Sequence, residues 1–512
     1  MPTKFNLPLP SLGLVVDRPG EYVDPRSASA IKNMEFNRSI IRKRSGTEAV
    51  GSTLSERIQR YFELQVAGVS RLFRVGLTTL QDLNKTTDVW SSATSSALTG
   101  TASDPVSYAF PLLAGEKIAV YTNAIDAIRK VSITGNDANL GGTPPKAKFL
   151  QAFGDYLVLG YVIDCGTNYP HRVQWCDTGD PETWSGAGTN AGSVDLMDDP
   201  EDISGIGVFG NLLTIHKRNS VYVGQLVTTS AVFRFDRKAT GVGTVAGATI
   251  QNLPSGEQIF LAQDGIHLFN GITAPLIDSP IQDEMREEMS PTYLYKAQSI
   301  YVPELDEYWV NVVTGSDTEP QTVYKYNYRT RQVYKDVRAS LTSMGLYLNS
   351  ASETWDEMVG TWDSDTGIWD EGANESLSPI VIFGDTAGVS TRRSSAADDN
   401  GTPIEANLDT KDYTAADLNV PDIDRMVRWT GIEMWAKGVG VSVYYSTDGG
   451  TNWTLISTHT LLPDYPADSA PINVWFDVVS SRIRFRFYDT ALASGFTLKK
   501  YQIEATLREA RK

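Results

Sequence analysis

Short runs of β-branched and aromatic residues recur from residue 60 to residue 340 at a spacing of about 40 residues, each run closed by Gly, Asn, Asp or Pro. Arg60–Val66 pairs in pattern with Ser70–Val75 around Gly68, and Leu80–Trp90 completes the unit. Val106–Phe110, Lys117–Tyr121 and Ile128–Val131 follow in the same order, then Phe149–Phe153, Tyr156–Val162 and Arg172–Trp175. A fourth unit holds Ile203–Phe209, Leu212–His216 and Ser220–Val223, and a fifth holds Gln258–Ala262 and Ile266–Phe269. The sixth runs through Lys296–Val302, Asp306–Val310, Val323–Asn327 and Gln332–Tyr334. A seventh would have to come from Leu341–Phe383, which is interrupted by Trp-Asp pairs at Trp355, Trp362 and Trp369. A unit of this length matches one four-stranded propeller blade, and it has an apolar face that it cannot bury alone. Radial stacking solves that problem. A string of separate sandwiches would need linkers between units, and the repeats follow one another without them.

The expected fold is therefore all-β: a β-propeller of six to seven irregular blades, with an extended N-terminal segment and a C-terminal β-sandwich. Boundaries are placed at residues 1–54 for the extended N-terminal segment and the start of the propeller, and at 55–390 for the propeller itself. The polar stretch 391–424 reads as a linker or long loop, and 425–512 as the sandwich, with strands such as Val427–Met434, Val439–Ser446 and Ile483–Tyr488. One or two short helices are expected, the best candidate lying within Ser279–Met289.

Composition narrows the function classes. With 45 Lys and Arg against 62 Asp and Glu the chain carries −17, which argues against a general phosphate-binding surface. Cys165 and Cys176, the two cysteines, are too few for a disulfide framework and read as free thiols. The N-terminus has no secretory signal, and no apolar run approaches the roughly 20 residues that span a bilayer, so synthesis in a cytoplasm without membrane insertion is expected. There is no phosphate-binding Gly-x-x-x-x-Gly-Lys loop, no His-Glu-x-x-His helix and no Gly-x-Ser-x-Gly elbow. No enzyme activity, cofactor or bound metal is expected. The acidic run Asp195, Asp198, Asp199, Glu201 and Asp202 lacks the spacing of a calcium loop and reads as solvated.

Three clusters are candidate sites. Arg38, Arg42, Lys43 and Arg44 form a basic patch suited to an acidic partner. Arg482, Arg484 and Arg486 alternate with Ile483, Phe485 and Phe487, which sets three guanidinium groups on one face of a strand as a second candidate interface. Ser446, Asp448, Gly450 and Trp453 resemble the Asp-box of sialidases and related propellers, with Asn452 where that motif has Thr. That motif implies a braced hairpin, not a catalytic group.

Several segments, taken in order, resemble bacteriophage tail nozzle, tail hub and head-to-tail stopper proteins. They are the Pro/Leu/Gly stretch Leu7–Leu14, then Asn33-Met34-Glu35 and Ile41-Arg42-Lys43-Arg44-Ser45-Gly46-Thr47. Trp175 with Gly179–Trp184, the Trp-Asp-rich stretch 354–371 and Val443–Gly450 complete the series. The resemblance implies a structural virion protein of the tail that forms a homo-oligomeric ring of six copies below the portal and adaptor. Double-stranded DNA would pass its lumen without specific binding, and tail fibres or spikes would be neighbours. Two other readings are a propeller glycoside hydrolase or depolymerase of sialidase type, and a receptor- or glycan-binding tail protein using the sandwich.

Overall fold

The computed structural model describes residues 3–37, 40–227, 232–277, 281–348, 379–461, 471–491 and 495–507. Seven antiparallel sheets succeed one another along the chain. Blades 1 to 4 are four-stranded and span Arg60–Ser92, Ser107–Asn139, Lys146–Asp195 and Ile203–Thr240. Blade 5 has three strands within Gln251–Phe269, and blade 6 has four within Gln298–Val337. Blade 7 begins with Leu341–Tyr347 and Ile380–Asp385; the Trp-Asp pairs between those two strands lie outside the described residues. Tight turns set the hairpins where the sequence permits positive φ. Ala67 and Gly68 (φ 48° and 84°) join the first two strands of blade 1, and Cys165 and Gly166 (47° and 82°) join the second and third strands of blade 3.

The apolar faces pack as the repeat demands. Phe62, Leu64 and Phe73 of blade 1 meet Tyr121 and Val131 of blade 2, and Ile128 of blade 2 meets Leu150 and Leu159 of blade 3. Trp175 faces Ile206 and Ile215 across the next gap, and Val221 and Val223 face Phe260 and Phe269. Ile259 and Leu261 share a cluster with Tyr308 and Val310, Trp309 packs with Met344 and Phe383, and Tyr347 and Ile382 return to Tyr61 and Leu72. Each of the seven gaps is filled, so the ring closes. The first strand of one blade lies against the first strand of the next around the axis, as with Ser107–Ala109 and Lys146–Phe153.

Closure involves the chain's beginning. Thr47–Ala49 pairs antiparallel with Ser390–Arg393 and supplies the fourth strand of blade 7. The segment 1–54, expected to be extended, is instead woven into sheets. Thr3–Leu7, Met34–Asn37 and Ile40–Lys43 belong to one six-stranded sandwich sheet and Ala28–Lys32 to the other. The stretch 391–424, expected to be a linker, holds the third strand of blade 7 and the sandwich strands Ala406–Thr410 and Tyr413–Thr414. Both differences have one physical cause. A turn marks a hairpin locally, whereas pairing across some 70 to 500 residues leaves no local trace.

In the sandwich, Ile483, Phe485 and Phe487 are fully buried against Val443, Leu408, Trp429 and Tyr501, as their alternation requires. Its strands Ala28–Lys32 and Met34–Asn37 rest on Val333–Val337, the outer strand of blade 6. The short helix forms at Gln282–Glu288 and buries Met285 in the same cluster.

Candidate functional site

The junction between sandwich and propeller collects most of the basic patch. Arg44 is buried, with Nη1 donating to Asp399 Oδ1 at 2.9 Å and Nε to Asn33 Oδ1 at 3.0 Å, and with Asp336 at 3.8 Å. Lys43 is buried too: its ammonium donates to the Ala491 carbonyl at 2.7 Å and lies 3.4 Å from Asp489. Arg42 stays partly exposed, 3.4 Å from Glu35, and Arg38 lies outside the described residues. The patch was expected to face a partner. Arg44 and Lys43 instead neutralise carboxylates of blade 7 and of the sandwich, because they lie where the chain leaves the sandwich strand Ile40–Lys43 for the blade 7 strand Thr47–Ala49.

Asn33 pins the junction. Its φ of 56° suits Asn better than most residues. Its side-chain oxygen accepts from Arg44 and from the Val337 amide at 2.8 Å, and its Nδ2 donates to the Glu405 carbonyl at 2.7 Å. Next to it, burial opposes ionisation of Glu35, but Lys325, Arg393, Arg42 and Arg338 outweigh it and hold the carboxyl down at about 2. Lys325 sits 2.6 Å from Asp336, both inside blade 6. Burial and the neighbouring Arg44 pull Arg338 down to about 10, while burial pushes the carboxyl of Glu307 up. Asp336, Arg338, Arg393 and Asp399 escaped sequence reasoning. They are single charges inside strands or loops, and only the assembled sheets bring them together.

The arginine ladder is likewise paired within the chain. Arg484 grips Asp412 with two hydrogen bonds of 2.9 and 2.8 Å, and Arg486 grips Asp409 with 2.7 and 2.6 Å. Arg482 is 3.7 Å from Glu21 and partly exposed. Bidentate pairs of this kind fix one strand against its neighbours, so two of the three guanidinium groups expected at an outer interface act as internal clamps.

The Asp-box-like segment is the hairpin brace its sequence suggested. Ser446 Oγ donates to Asp448 at 2.7 Å and accepts from the Gly450 amide at 2.9 Å. Asp448 accepts from the amides of Thr451 and Asn452 at 3.0 Å each. Donation from the Asn452 amide, joined by Ser446 and the Asn452 side chain, holds the Asp448 carboxyl well below the usual carboxylate range. Arg486 stacks 4.0 Å over the Trp453 ring, which ties the hairpin to the ladder. Asp448→Ala is expected to speed amide hydrogen exchange at Thr451 and Asn452 by about tenfold or more while the thermal midpoint barely moves. Mass-spectrometric exchange across 447–453 checks this, and unchanged protection there would show that the brace is redundant.

Elsewhere, Asp195 is paired with Arg172 at 2.7 Å, and Asp199 accepts from Ser220 and from the Glu201 amide. Among the described residues no three His, Cys, Asp or Glu side chains converge as a metal site. Cys165 is exposed at a hairpin tip, whereas burial pushes the Cys176 thiol up to about 11. A shallow groove between blades 4 and 5, lined by Lys238, Val242, Ile272 and Pro275 among others, carries no carboxylate.

Sheet order and blade packing thus define a seven-bladed propeller, closed by an N-terminal strand and bearing a sandwich made from both ends of the chain. No family model and no curated protein matches the sequence. Among solved structures, BamB from Moraxella catarrhalis is similar at 12% identity over 67% of this chain and 96% of that one, with a TM-score of 0.35. PorZ, a surface component of the type-IX secretion system of Porphyromonas gingivalis, aligns at 11% identity over 80% of this chain and 46% of its own, with a TM-score of 0.36. The extracellular domain of BT3049 from B. thetaiotaomicron aligns at 10% identity over 72% and 52%, with a TM-score of 0.35.

Proposed function

We propose that this protein is a structural virion component, a ring-forming nozzle or hub subunit of a bacteriophage tail, and not an enzyme. The observation that carries the reading is the junction. Described residues between 3 and 49 contribute strands to both sandwich sheets and then a strand of blade 7, and the ion pairs Arg44–Asp399 and Glu35–Lys325 tie the two bodies together. A conduit subunit must transmit force between neighbours without opening, and a domain pair joined by interleaved strands does that. The ordered resemblance to tail proteins supplies the place, in the tail below the portal and adaptor, with fibres or spikes as neighbours. The net charge of −17 suits a wall that double-stranded DNA slides past.

Since Lys43, Arg44, Arg484 and Arg486 are paired internally, the subunit contacts of the ring come from other surfaces. Exposed apolar side chains such as Tyr22, Met197 and Ile272 are the available anchors. Sedimentation and negative-stain imaging of the full chain, alone and mixed with its adaptor, should show a closed ring with six times the mass of one chain. A chain that stays monomeric in both conditions, and that cleaves a sialoside or polysaccharide, would overturn the assignment.

A further inference from the structure

The outer face of the first sandwich sheet carries one large apolar side chain in the open. Trp475, on the edge strand Ile472–Ser480, is 64% exposed. That strand ends the sheet on the side away from Met34–Asn37, the strand that rests on the propeller, so the indole faces outward from the whole body. Its neighbour in register is Gly431. A Cβ placed on Gly431 would lie 3.1 and 3.3 Å from two carbons of the indole, so the missing side chain is what lets the ring lie down over the adjacent strand. The register slips between Trp429 and Gly431, a bulge of the kind that re-aims side chains.

Polar groups continue the row. Across the sheet, Gly431 is followed by Glu504 and then Lys4, while the next row reads Asn473, Glu433, Gln502, Asn6. Glu433 and Glu504 are almost buried and both pair with Lys4, whose ammonium they hold at the surface. Beyond Trp475, Arg428 and Asp477 form an exposed bidentate pair. From Trp475 to Lys4 the row crosses three strand spacings, about 14 Å.

We propose that this face binds a neutral hexopyranose polysaccharide, with Trp475 as the stacking platform. A pyranose ring has an apolar C–H face and a rim of hydroxyl groups that both donate and accept. A flat-lying indole beside amides and a fixed ammonium matches both parts. The ligand is neutral because the charges of these rows and the next balance: the carboxylates of Glu433, Glu504 and Asp477 stand against the cations of Lys4, Arg428 and Lys500, which favours neither a polyanion nor a polycation. A protein partner fits less well. Interface cores gather several apolar anchors, whereas Trp475 is the mostly exposed one on the strands of this face, and Trp435, two residues beyond Glu433, is only partly exposed and covered by the Lys500 ammonium at 4.8 Å. The row is open at both ends, so it accepts an internal stretch of a chain. This inference is independent of the virion assignment and would stand or fall without it.

Affinity electrophoresis of the full-length protein through gels containing dextran, galactomannan or mixed-linkage β-glucan tests it. At least one of these is expected to retard the wild type. Trp475→Ala should weaken that retardation tenfold or more, Gly431→Ala should weaken it by tilting the indole, and Trp475→Phe should retain part of it. Retardation by none of the three polysaccharides, or retardation untouched by Trp475→Ala, would overturn the proposal. So would a Trp475→Ala chain that changes its sedimentation mass while binding sugar like the wild type, because Trp475 would then belong to a protein interface.

Discussion

Arg44→Ala is expected to lower the unfolding free energy by about 3 kcal/mol, the low end of what removing one partner of a buried ion pair costs. The size follows from what stays behind. Arg44 is 1% exposed at its side chain and faces Asp399, Asp336 and Asn33 together. Without the guanidinium, the Asp399 carboxylate, 29% exposed at its side chain, keeps Arg338, at 3.4 Å, and Thr47, at 3.2 Å, as compensation. Replacing both partners, as in Arg44→Met with Asp399→Leu, should recover part of the loss, since Asp399 is then no longer stranded while Asp336 and Arg338 keep each other at 3.9 Å and Asp336 keeps Lys325 at 2.6 Å. Urea unfolding followed by tryptophan fluorescence measures each variant. A single substitution costing under about 1 kcal/mol, the range of a surface pair, would mean that water reaches the junction and the lock is weak.

Arg44 also shows where sequence reasoning stops. The blades were legible because their pairing is local: Arg60–Val66 and Val69–Val75 are joined by two turn residues, and the apolar alternation continues on both sides. In blade 5 the first strand is Gln251–Asn252, two polar residues with no alternation, and it was invisible for that reason. Ser446–Trp453 was legible as a brace because donors and acceptors lie within eight residues of one another. The ladder Arg482, Arg484 and Arg486 was read correctly as one face of a strand, yet its partners Asp409 and Asp412 sit some 70 residues earlier and Glu21 lies in the N-terminal segment. A charge run looks the same in sequence whether water or a distant carboxylate meets it. The sandwich strands Thr3–Leu7 and Ala28–Lys32 were missed for the same reason, since their pairing partners are Tyr501–Ala505 and Asn407–Thr410.

Acid should destabilise the protein in two separable steps, and the first belongs to His216. This residue lies in the second strand of blade 4 and is fully buried. Its Nε2 donates to Gln258 Oε1 at 2.9 Å, and its ring meets Phe260 edge-on with centroids 4.8 Å apart. Burial pulls its pKa from 6.5 down to about 4, the hydrogen bond to Gln258 opposing only in part. The folded state therefore keeps the imidazole neutral while the unfolded chain takes up a proton, so the unfolded state binds more protons between these values and stability decreases as the pH is lowered through them. The contribution is fully present above pH 6.5 and is lost as the pH drops through about 4, on the order of 3 kcal/mol over the window. Glu35 follows lower down. Its folded value of about 2 against 4.5 means that its stabilisation is present above pH 4.5 and disappears as the pH falls through 2. His216→Gln preserves a donor to Gln258 and removes the titration. Compared at pH 7 and pH 4.5, the wild type should lose on the order of 2–3 kcal/mol more than this variant. Below pH 4 the two should fall in parallel, because Glu35 titrates in both. A difference between wild type and variant that stays flat from pH 7 to 4.5 would mean that His216 protonates in place, with water reaching the gap between blades 4 and 5.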